Sequence, residues 1–566
     1  MWRQLVVIGK PYWVSSEKWQ AFGLLALLLL LLAGVNALNV ILNFANGAIM
    51  NALAARDMPL FTAKVWLLLE VFVVGVFIVV FYKWVRDKLG LTWRRWLTNS
   101  ILEKYFASRN YYRINNDATI DNPDERIAQD IDGFVKGALS LFLSLLDSVI
   151  TLCAFITILY GISKLLVAIA IGWAVIFTLI TIWVGKRLVK LNFDQSRKEA
   201  DFRYNLIHVR KNAESIAFYG GEKQESSRVR NRLTSALLNF NLLIGWTRNL
   251  QFLVKGSDYF TVAIPFIVIG PLYFAHQVEL GTISQASMAF GQVLAALTIV
   301  VSEFATVSQF AAYVKRLASF TEALEPSVPE ASGKASGDGS GNSNIVTVIS
   351  ENHIALSDVT LLTPDRQRIL VEHLDLDVDE NLLVMGRSGR GKSSLLRAIA
   401  GLWTAGSGKI ERPNIDQIFF LPQRPFMTLG TLREQLLYPF ADSKTTISDA
   451  QLEEILRTVN LPDLIRHSGG LDAELNWADA LSLGEQQRVA FARLLVSRPK
   501  FAILDESTSA LDAENEAHLY ETLAKIGTKF ISVGHRPSLR KYHHSVLELT
   551  DETGWRVTPV SEFETN

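Results

Sequence analysis

The chain has 566 residues, too many for one compact core, and 49% of them are apolar, which indicates a membrane portion. Its 56 basic residues balance 56 acidic ones, so the net charge of zero favours no nucleic-acid partner. The single cysteine, Cys153, excludes an intrachain disulfide.

Six long apolar runs predict six membrane-spanning helices, because each reaches or approaches the roughly 20 residues needed to cross a bilayer. The first run begins well inside the chain and is too long for the core of a signal peptide. We therefore interpret it as a true span. The runs are Gln20–Ala55, Val65–Tyr82, Phe134–Tyr160, Leu165–Gly185, Tyr259–Val278 and Leu280–Ser302.

Basic residues predict the orientation of these spans. They concentrate before the first span, between the second and third, and between the fourth and fifth. The positive-inside rule places all three segments in the cytoplasm, and six spans return the C-terminal region to the same side. With no targeting extension in the sequence, a bacterial inner membrane is favoured over an organelle.

The composition changes twice along the chain and predicts three regions. Residues 1–325 form the membrane domain, residues 326–344 are a flexible linker rich in Gly, Ser and Pro, and residues 345–566 form an α/β domain. In the last region, short apolar runs predict three buried strands and a helix. These elements are the strands Leu382–Met385, Phe501–Leu504 and Phe530–Val533, and the helix Ser393–Gly401.

A P-loop joins the first of these strands to the helix. Its glycines allow backbone N–H groups to wrap phosphates, and the helix N-terminus adds its positive dipole. Lys392 would contact the β- and γ-phosphates, and Ser393 would bind Mg²⁺. The predicted nucleotide-binding residues here are Gly386, Arg387, Ser388, Gly389, Arg390, Gly391, Lys392, Ser393 and Ser394.

Two carboxylates follow the strand Phe501–Leu504. Downstream of a P-loop, this pattern favours a catalytic site over a buried strand that simply runs into a solvated turn. Asp505 is predicted to hold the Mg²⁺, and Glu506 to act as the general base that polarises the attacking water.

The segment Leu481–Arg488 resembles the signature motif of ATP-binding cassette (ABC) proteins, which caps the nucleotide held by the opposite subunit. The resemblance assigns Ser482, Gly484 and Glu485 to nucleotide binding. Two positions depart from the usual pattern: Leu483 replaces a glycine, and Glu485 replaces a glutamine. Since Ser482 and Gly484 remain, we expect activity to survive.

Further cassette motifs follow in the family's order. Gln423 resembles the Q-loop residue, a Mg²⁺ ligand, and Ser509–Asp512 resembles the D-loop. His535 resembles the switch histidine that contacts the γ-phosphate. Thr363 occupies the position where the family usually has an aromatic residue that stacks on adenine. Discrimination for adenine is therefore expected to be weak, with some use of GTP.

Two motifs in the cytoplasmic segments narrow the family. Asp121–Ile127 and Glu214–Glu222 are similar to motifs of the peroxisomal fatty-acyl transporters and of their bacterial relatives, the YddA-type and SbmA/BacA-like half-transporters. The resemblance implies that both are coupling helices seated in the ATPase domains. Without the resemblance, amphipathic packing helices with a Gly-Gly turn explain the same residues.

Charged residues within or next to the spans bear on the substrate. Each would be costly against lipid, so it faces a cavity or a partner helix, or forms an internal ion pair near a span end. Several acids with few bases suggest a polar cavity for cationic or strongly hydrophilic solutes. The residues are Glu70, Asp147, Lys255, Asp258 and Glu303.

Together these features predict an exporter-type ABC fold: an all-α membrane domain with six helices, followed by an α/β P-loop nucleotide-binding domain. The resemblance implies an ATP-driven transporter that works as a homodimer in the lipid bilayer. Its implied cofactors are ATP and Mg²⁺, and its implied solute is a peptide, a cobalamin-like compound or a fatty-acyl compound. The alternative is a nucleotide-gated channel or sensor that uses the same ATPase domain.

Overall fold

The computed structural model describes residues 2–115, 120, 122–299, 303–325, 344–351, 353–440, 447–534, 536–550 and 553–563. The chain divides into two compact units, Met1–Ser332 and Gly333–Asn566. The first is helical and the second is α/β, so the predicted fold class is confirmed. The predicted linker lies outside the described residues except for Asn344.

Long helices dominate the first unit. In its described part, six helical segments are long and apolar enough to cross a membrane, and each contains or overlaps one predicted run. The helices are α1 (Trp2–Trp13), α2 (Lys18–Ala55), α3 (Met58–Phe106), α4 (Asn110–Asn115), α5 (Pro123–Glu125), α6 (Ile131–Ile162), α7 (Lys164–Lys211), α8 (Ala213–Tyr219), α9 (Glu222–Phe274), α10 (Leu280–Leu297) and α11 (Phe304–Leu324).

Short polar caps separate neighbouring spans. Arg56 ends α2 in the left-handed conformation, and the side chain of Asp57 accepts a hydrogen bond from the backbone N–H of Leu60 at 3.0 Å. Ser163 is the only residue between α6 and α7, and its hydroxyl caps α7. These caps satisfy N–H groups that the first turn of a helix leaves free, so the chain reverses within two residues or fewer.

The two predicted coupling motifs adopt different structures. Glu214–Glu222 contains most of the short helix α8, which ends at Gly220 in the left-handed conformation and leaves Phe218 and Tyr219 exposed. In the other motif, Asp121 lies outside the described residues, and the remainder enters α5 and a π-helical turn, Arg126–Asp130. The coupling role of both motifs remains a prediction.

The π-helical turn attaches to α11 through buried polar groups. Arg126 donates hydrogen bonds to the carbonyl oxygen of Arg316 at 2.6 Å and to the hydroxyl of Ser319 at 3.2 Å. Asp130, which is 1% exposed, forms an ion pair with the guanidinium of Arg316. Because Asp130 is buried, loss of the Arg316 guanidinium would leave a buried carboxylate without its cation, which is costly.

The second unit contains two sheets. The first has four strands in the order β1-β5-β2-β3, and the second has six in the order β10-β9-β4-β8-β7-β6. The strands are β1 (Val346–Ile349), β2 (Ile354–Leu362), β3 (Ile369–Val378), β4 (Leu382–Gly386), β5 (Gly406–Arg412), β6 (Ile418–Leu421), β7 (Phe501–Asp505), β8 (Lys529–Val533), β9 (Ser545–Leu549) and β10 (Trp555–Pro559).

Seven α-helices accompany these sheets in the described part of the unit. The predicted helix after the P-loop is present but ends two residues before the predicted end. The helices are α12 (Lys392–Ile399), α13 (Leu432–Leu437), α14 (Asp449–Thr458), α15 (Leu464–Ser468), α16 (Trp477–Ala480), α17 (Leu483–Ser497) and α18 (Ala513–Lys525).

Alternating side chains of the six-stranded sheet divide between two cores. Phe501 and Ile503 of β7 belong to the core that contains α12, whereas Ala502 and Leu504 belong to the core that contains α17 and α18. This follows from the two-residue period of a strand. Strands β4, β6, β7 and β8 are mutually parallel neighbours, so their carboxyl ends share one edge. In open α/β sheets, ligands bind at that edge.

Candidate functional site

The P-loop leaves the carboxyl end of β4 in a conformation that requires glycine. Gly386 has a φ of +141°, and a Cβ built there would lie 2.7 Å from the carbonyl oxygen of Leu549. Gly391, at φ +90°, would bring a Cβ to 3.1 Å from the Cβ of Leu370. Both glycines therefore serve backbone shape, and the loop curls ahead of the N-terminus of α12.

Lys392 is nearly enclosed by this loop. It is 6% exposed, and its Nζ donates to the carbonyl oxygens of Gly386 at 2.7 Å and Arg387 at 3.0 Å. Burial lowers its pKa, while the nearby carboxylates of Glu506 and Asp505 act to raise it. The loop thus holds an ammonium group ready to exchange carbonyl oxygens for phosphate oxygens.

The carboxyl end of β7 brings Asp505 to the start of α12. The hydroxyl of Ser393 donates to Oδ1 of Asp505 at 3.0 Å. Burial raises the pKa of Asp505, and the hydrogen bond from Ser393 opposes this rise. A hydroxyl and a carboxylate are the hard oxygen donors that suit Mg²⁺, which takes few protein ligands and completes its shell with water and phosphate oxygens. The donor set fits the predicted metal.

In the described ranges, no cluster of three or more His, Cys, Asp or Glu side chains is arranged to hold an ion.

Glu506 directly follows β7 and has an unusual backbone. Its φ is +48°, a conformation that costs free energy for residues other than glycine and is often retained at functional sites. Its N–H donates to the carbonyl oxygen of Val533 at 3.1 Å, and its Oε2 accepts from Nε2 of Gln423 at 2.9 Å. The predicted Q-loop amide and the predicted base are therefore in direct contact.

The signature segment begins α17 with a capping box. Ser482 is the N-cap, and Oε2 of Glu485 accepts from its N–H at 2.9 Å and from its hydroxyl at 2.7 Å. Burial acts to raise the pKa of Glu485, but the hydrogen bonds from Ser482 lower it overall. A glutamate here matches the capping-box pattern Ser-x-x-Glu, which accounts physically for the departure from glutamine.

Gly484 packs against the D-loop, since a Cβ there would lie 3.2 Å from the carbonyl oxygen of Ala510. Leu483, the other unusual signature residue, is 37% exposed. The close approach accounts for a glycine at position 484, whereas the side chain at position 483 is partly open to solvent.

The remaining predicted site residues have simpler surroundings. Arg387, Ser388 and Gly389 are exposed on the loop, and Arg390 and Ser394 are partly exposed near the start of α12. His535 lies outside the described residues. Thr363 lies at the end of β2, where its hydroxyl donates to Asp365.

Sequence reasoning assigned no role to Gln487 or Arg536, and the structure bonds both to the D-loop. Gln487 is 1% exposed and accepts a hydrogen bond from the N–H of Ala510. Arg536 donates to the carbonyl oxygen of Leu511. Their positions beside recognised motifs were the only available signal, since burial and partners appear only after folding.

The charged residues of the spans fall into three environments. Asp147 accepts from the side-chain amide of Asn36 at 2.7 Å, and Glu303 accepts from Ser144 at 3.3 Å. Glu70 is exposed. Lys255 and Asp258 form an ion pair at 3.0 Å within α9, so the internal-pair interpretation holds for those two.

Asparagines that the sequence analysis did not single out join α2 to its neighbours. Asn36 is 3% exposed and also accepts from the hydroxyl of Thr151 at 2.7 Å, so its amide links α2 to α6. Asn46 donates to the hydroxyl of Ser284 on α10 at 2.8 Å. In hydrocarbon, such interhelical hydrogen bonds favour specific helix pairs.

Comparison with known families identifies the class of protein. Residues 10–274 match the family described as ABC transporter transmembrane region 2, and residues 372–509 match the family described as ABC transporter. Six candidate spans and a P-loop domain in one chain are the architecture of an exporter-type ABC half-transporter.

Individual relatives extend the match over nearly the whole chain. An uncharacterized ABC transporter ATP-binding protein of Synechocystis is 48% identical over 96% of this chain and 83% of its own. ABC transporter D family member 2, chloroplastic, of Arabidopsis thaliana is 36% identical, over 99% and 88%. The lysosomal cobalamin transporter ABCD4 of Homo sapiens is 30% identical, over 98% and 95%.

A bacterial Atm1-family ABC exporter with ATP bound has a similar structure, with a TM-score of 0.72, coverage of 97% of this chain and 96% of that one, and 18% identity. This likeness concerns the fold. The chain belongs to the ABC transporter family, as a half-transporter related to the D-type members. It binds ATP, and its ATP hydrolysis is coupled to transport.

Proposed function

We propose that the protein works as a homodimer in which two ATP molecules lie between the ATPase units. Lys392 and Ser393 of one chain would hold each nucleotide, and Ser482 and Gly484 of the partner subunit would cap it. One chain supplies one P-loop and one signature segment, which is half of such a machine. The N-terminus of α17, where Ser482 is the exposed N-cap, supports this role because the positive end of a helix dipole favours an anion.

Within each site, we assign Mg²⁺ to Ser393, Asp505 and Gln423. Glu506 is the general base, and His535 contacts the γ-phosphate. The contact between Gln423 and Glu506 carries this assignment, because it joins a proposed metal ligand to the base that must orient the attacking water. Mg²⁺ would neutralise charge on the phosphates and orient them.

The solute is proposed to be hydrophilic or amphipathic: a peptide, a cobalamin-like compound or a fatty-acyl compound. The buried group of Asn36, Asp147 and Thr151 supports this class, because polar side chains inside a membrane unit usually mark a polar path or a helix contact. The similarity to the lysosomal cobalamin transporter ABCD4 of Homo sapiens supports the cobalamin-like choice. Placement in the finer YddA-type and SbmA/BacA-like group also remains a prediction.

The proposed location is the bacterial inner membrane, with the ATPase unit in the cytoplasm. The basic segments after the second and fourth spans and the Synechocystis and Haemophilus influenzae relatives support it.

Transport into sealed proteoliposomes tests the proposal. The purified full chain would be reconstituted, and cyanocobalamin, a cationic peptide and oleoyl-CoA would be followed with and without MgATP. We expect ATP to drive one of them against its gradient, and the Lys392→Ala variant to abolish this flux. Downhill flux that continues without ATP would instead identify a gated channel. Light scattering of the detergent-solubilised protein would report whether the particle contains two chains.

A further inference from the structure

A buried amide connects three segments of the ATPase unit. Gln487 lies on α17 and is 1% exposed. Its Nε2 donates to the backbone carbonyl oxygen of Gln423 at 3.0 Å and to the hydroxyl of Ser509 at 3.3 Å. Its Oε1 accepts from the N–H of Ala510 at 3.1 Å. One carboxamide therefore joins the signature helix to the Q-loop and to the D-loop.

The two loops that Gln487 joins also meet at Glu506. The side chain of Gln423 donates to the Glu506 carboxylate at 2.9 Å, and the N–H of Ser509 donates to the Glu506 carbonyl oxygen at 3.1 Å. Together these bonds form a closed ring that includes Glu506, whose φ is +48°. A backbone in this region persists when its surroundings hold it there.

The opposite side of the D-loop is fixed separately. Arg536 donates to the carbonyl oxygens of Leu511 at 2.9 Å and Ser509 at 3.3 Å. Its guanidinium pairs at 3.5 Å with Glu516, which is 2% exposed and also accepts from the hydroxyl of Thr508 at 2.8 Å. These bonds anchor the D-loop to α18. The bond between the Ala510 N–H and Gln487 connects the same loop to the signature helix, α17.

We propose that Gln487 is a positioning residue for ATP hydrolysis. Its carboxamide fixes the Q-loop carbonyl and the D-loop amide, and through them the place of the Glu506 carboxylate. A displacement of the signature helix therefore reaches the general base through the hydrogen bonds of this carboxamide. The proposal rests on the role of Glu506 given under Proposed function.

Two substitutions at this position separate hydrogen bonding from packing. Gln487→Met keeps the length of the side chain and removes all three hydrogen bonds. We expect kcat for ATP to fall about 10- to 100-fold, as for the loss of well-placed buried hydrogen bonds, while KM stays within about twofold. Both constants would be measured on the detergent-solubilised full chain.

Gln487→Leu is the second substitution and removes the same three hydrogen bonds with a side chain of a different shape. We expect the same fall in kcat with KM within about twofold, because the lost hydrogen bonds rather than the shape of the side chain cause it. Native kcat in either variant would overturn the proposal.

Gln435→Met is the matched control for the loss of a buried carboxamide. Gln435 is 0% exposed and bonds to Thr428 and Arg493, away from the ring around Glu506. We expect a lower thermal midpoint with kcat nearly unchanged. An equal loss of kcat in both Met variants would reduce the role of Gln487 to packing. If Glu506→Gln instead kept native ATP turnover, the assignment of Glu506 as the general base would be wrong, independently of the results at Gln487.

Discussion

The two units of the chain differ in how far their side chains find partners within the chain. In the ATPase unit, the groups that would meet the nucleotide are already bonded within the chain, as with Ser393 and Asp505. In the membrane unit, large apolar side chains such as Phe72 and Phe77 of α3 are 50% and 61% exposed. The P-loop groups thus find polar partners within one chain, whereas the apolar side chains of the membrane unit need lipid or a second chain to cover them.

The largest expected effect is a loss of ATP turnover in the ATPase unit. Glu506→Gln keeps an acceptor for Gln423 but removes the basic carboxylate, so we expect ATP turnover to fall about 100-fold or more. MgATP should remain trapped in the closed dimer, which a filter assay with labelled nucleotide measures. Glu521→Gln, an exposed position on α18, is the matched control and should retain native turnover. Native turnover in Glu506→Gln would contradict the assignment.

The second effect uses a titratable group that the ATPase unit buries. His543 is 6% exposed, its Nδ1 contacts the carbonyl oxygen of Leu539 at 2.7 Å, and burial lowers its pKa to about 4. The folded state thus favours the neutral ring. Its stabilisation is complete above the ordinary pKa of about 6.5 and is lost as the pH falls toward 4.

Between pH 7 and pH 5, the free energy of opening around His543 should therefore drop by about 2 kcal/mol. Hydrogen exchange of the β9 amides in the full chain, corrected for the intrinsic rate, measures this change. His543→Leu should flatten the pH dependence. A native slope that the variant leaves intact would assign the effect to other groups.

The third effect tests the membrane unit. Asp147→Leu removes the α6 carboxylate that accepts from the Asn36 amide, whose NH₂ group keeps its bond to the Leu32 carbonyl oxygen of its own helix. We expect solute-stimulated ATPase to fall roughly 10-fold. Basal ATPase should persist, because every group assigned to the nucleotide site lies in the ATPase units. Asp147→Asn separates charge from hydrogen bonding, and Asp87→Asn on the exposed part of α3 is the control. Unchanged stimulation in both Asp147 variants would remove this group from the solute path.

The smallest effect concerns nucleotide choice. Thr363→Tyr should supply a ring for the base and raise the preference for ATP over GTP about 2- to 10-fold, the range of one aromatic contact. The ratio of kcat/KM values for the two nucleotides measures it. Thr363→Val removes the hydroxyl without adding a ring and should leave the ratio unchanged. A preference equally strong in the native protein would show that other groups select adenine.

Local sequence patterns were sufficient for most of the fold. The six apolar runs predicted the six candidate spans because the requirement for length and hydrophobicity acts on contiguous residues. The strand before the P-loop and the strand before Asp505 were predicted nearly to the residue, since Gly386 and the acidic pair end them. The long, partly apolar cytoplasmic segments also predict that the membrane helices continue into them and end in short helices, as α7, α8 and α9 do. The bounds of these continuations were not predicted, because hydropathy carries no signal there.

The sequence by itself determined the family, the P-loop and the number of candidate spans, because these depend on residues that are adjacent or regularly spaced. Only the tertiary structure decided that Gln423 contacts Glu506 and that Gln487 joins two loops more than 80 residues apart. Both contacts depend on parallel strands that end at one edge of a sheet. That edge forms only after distant segments have packed together.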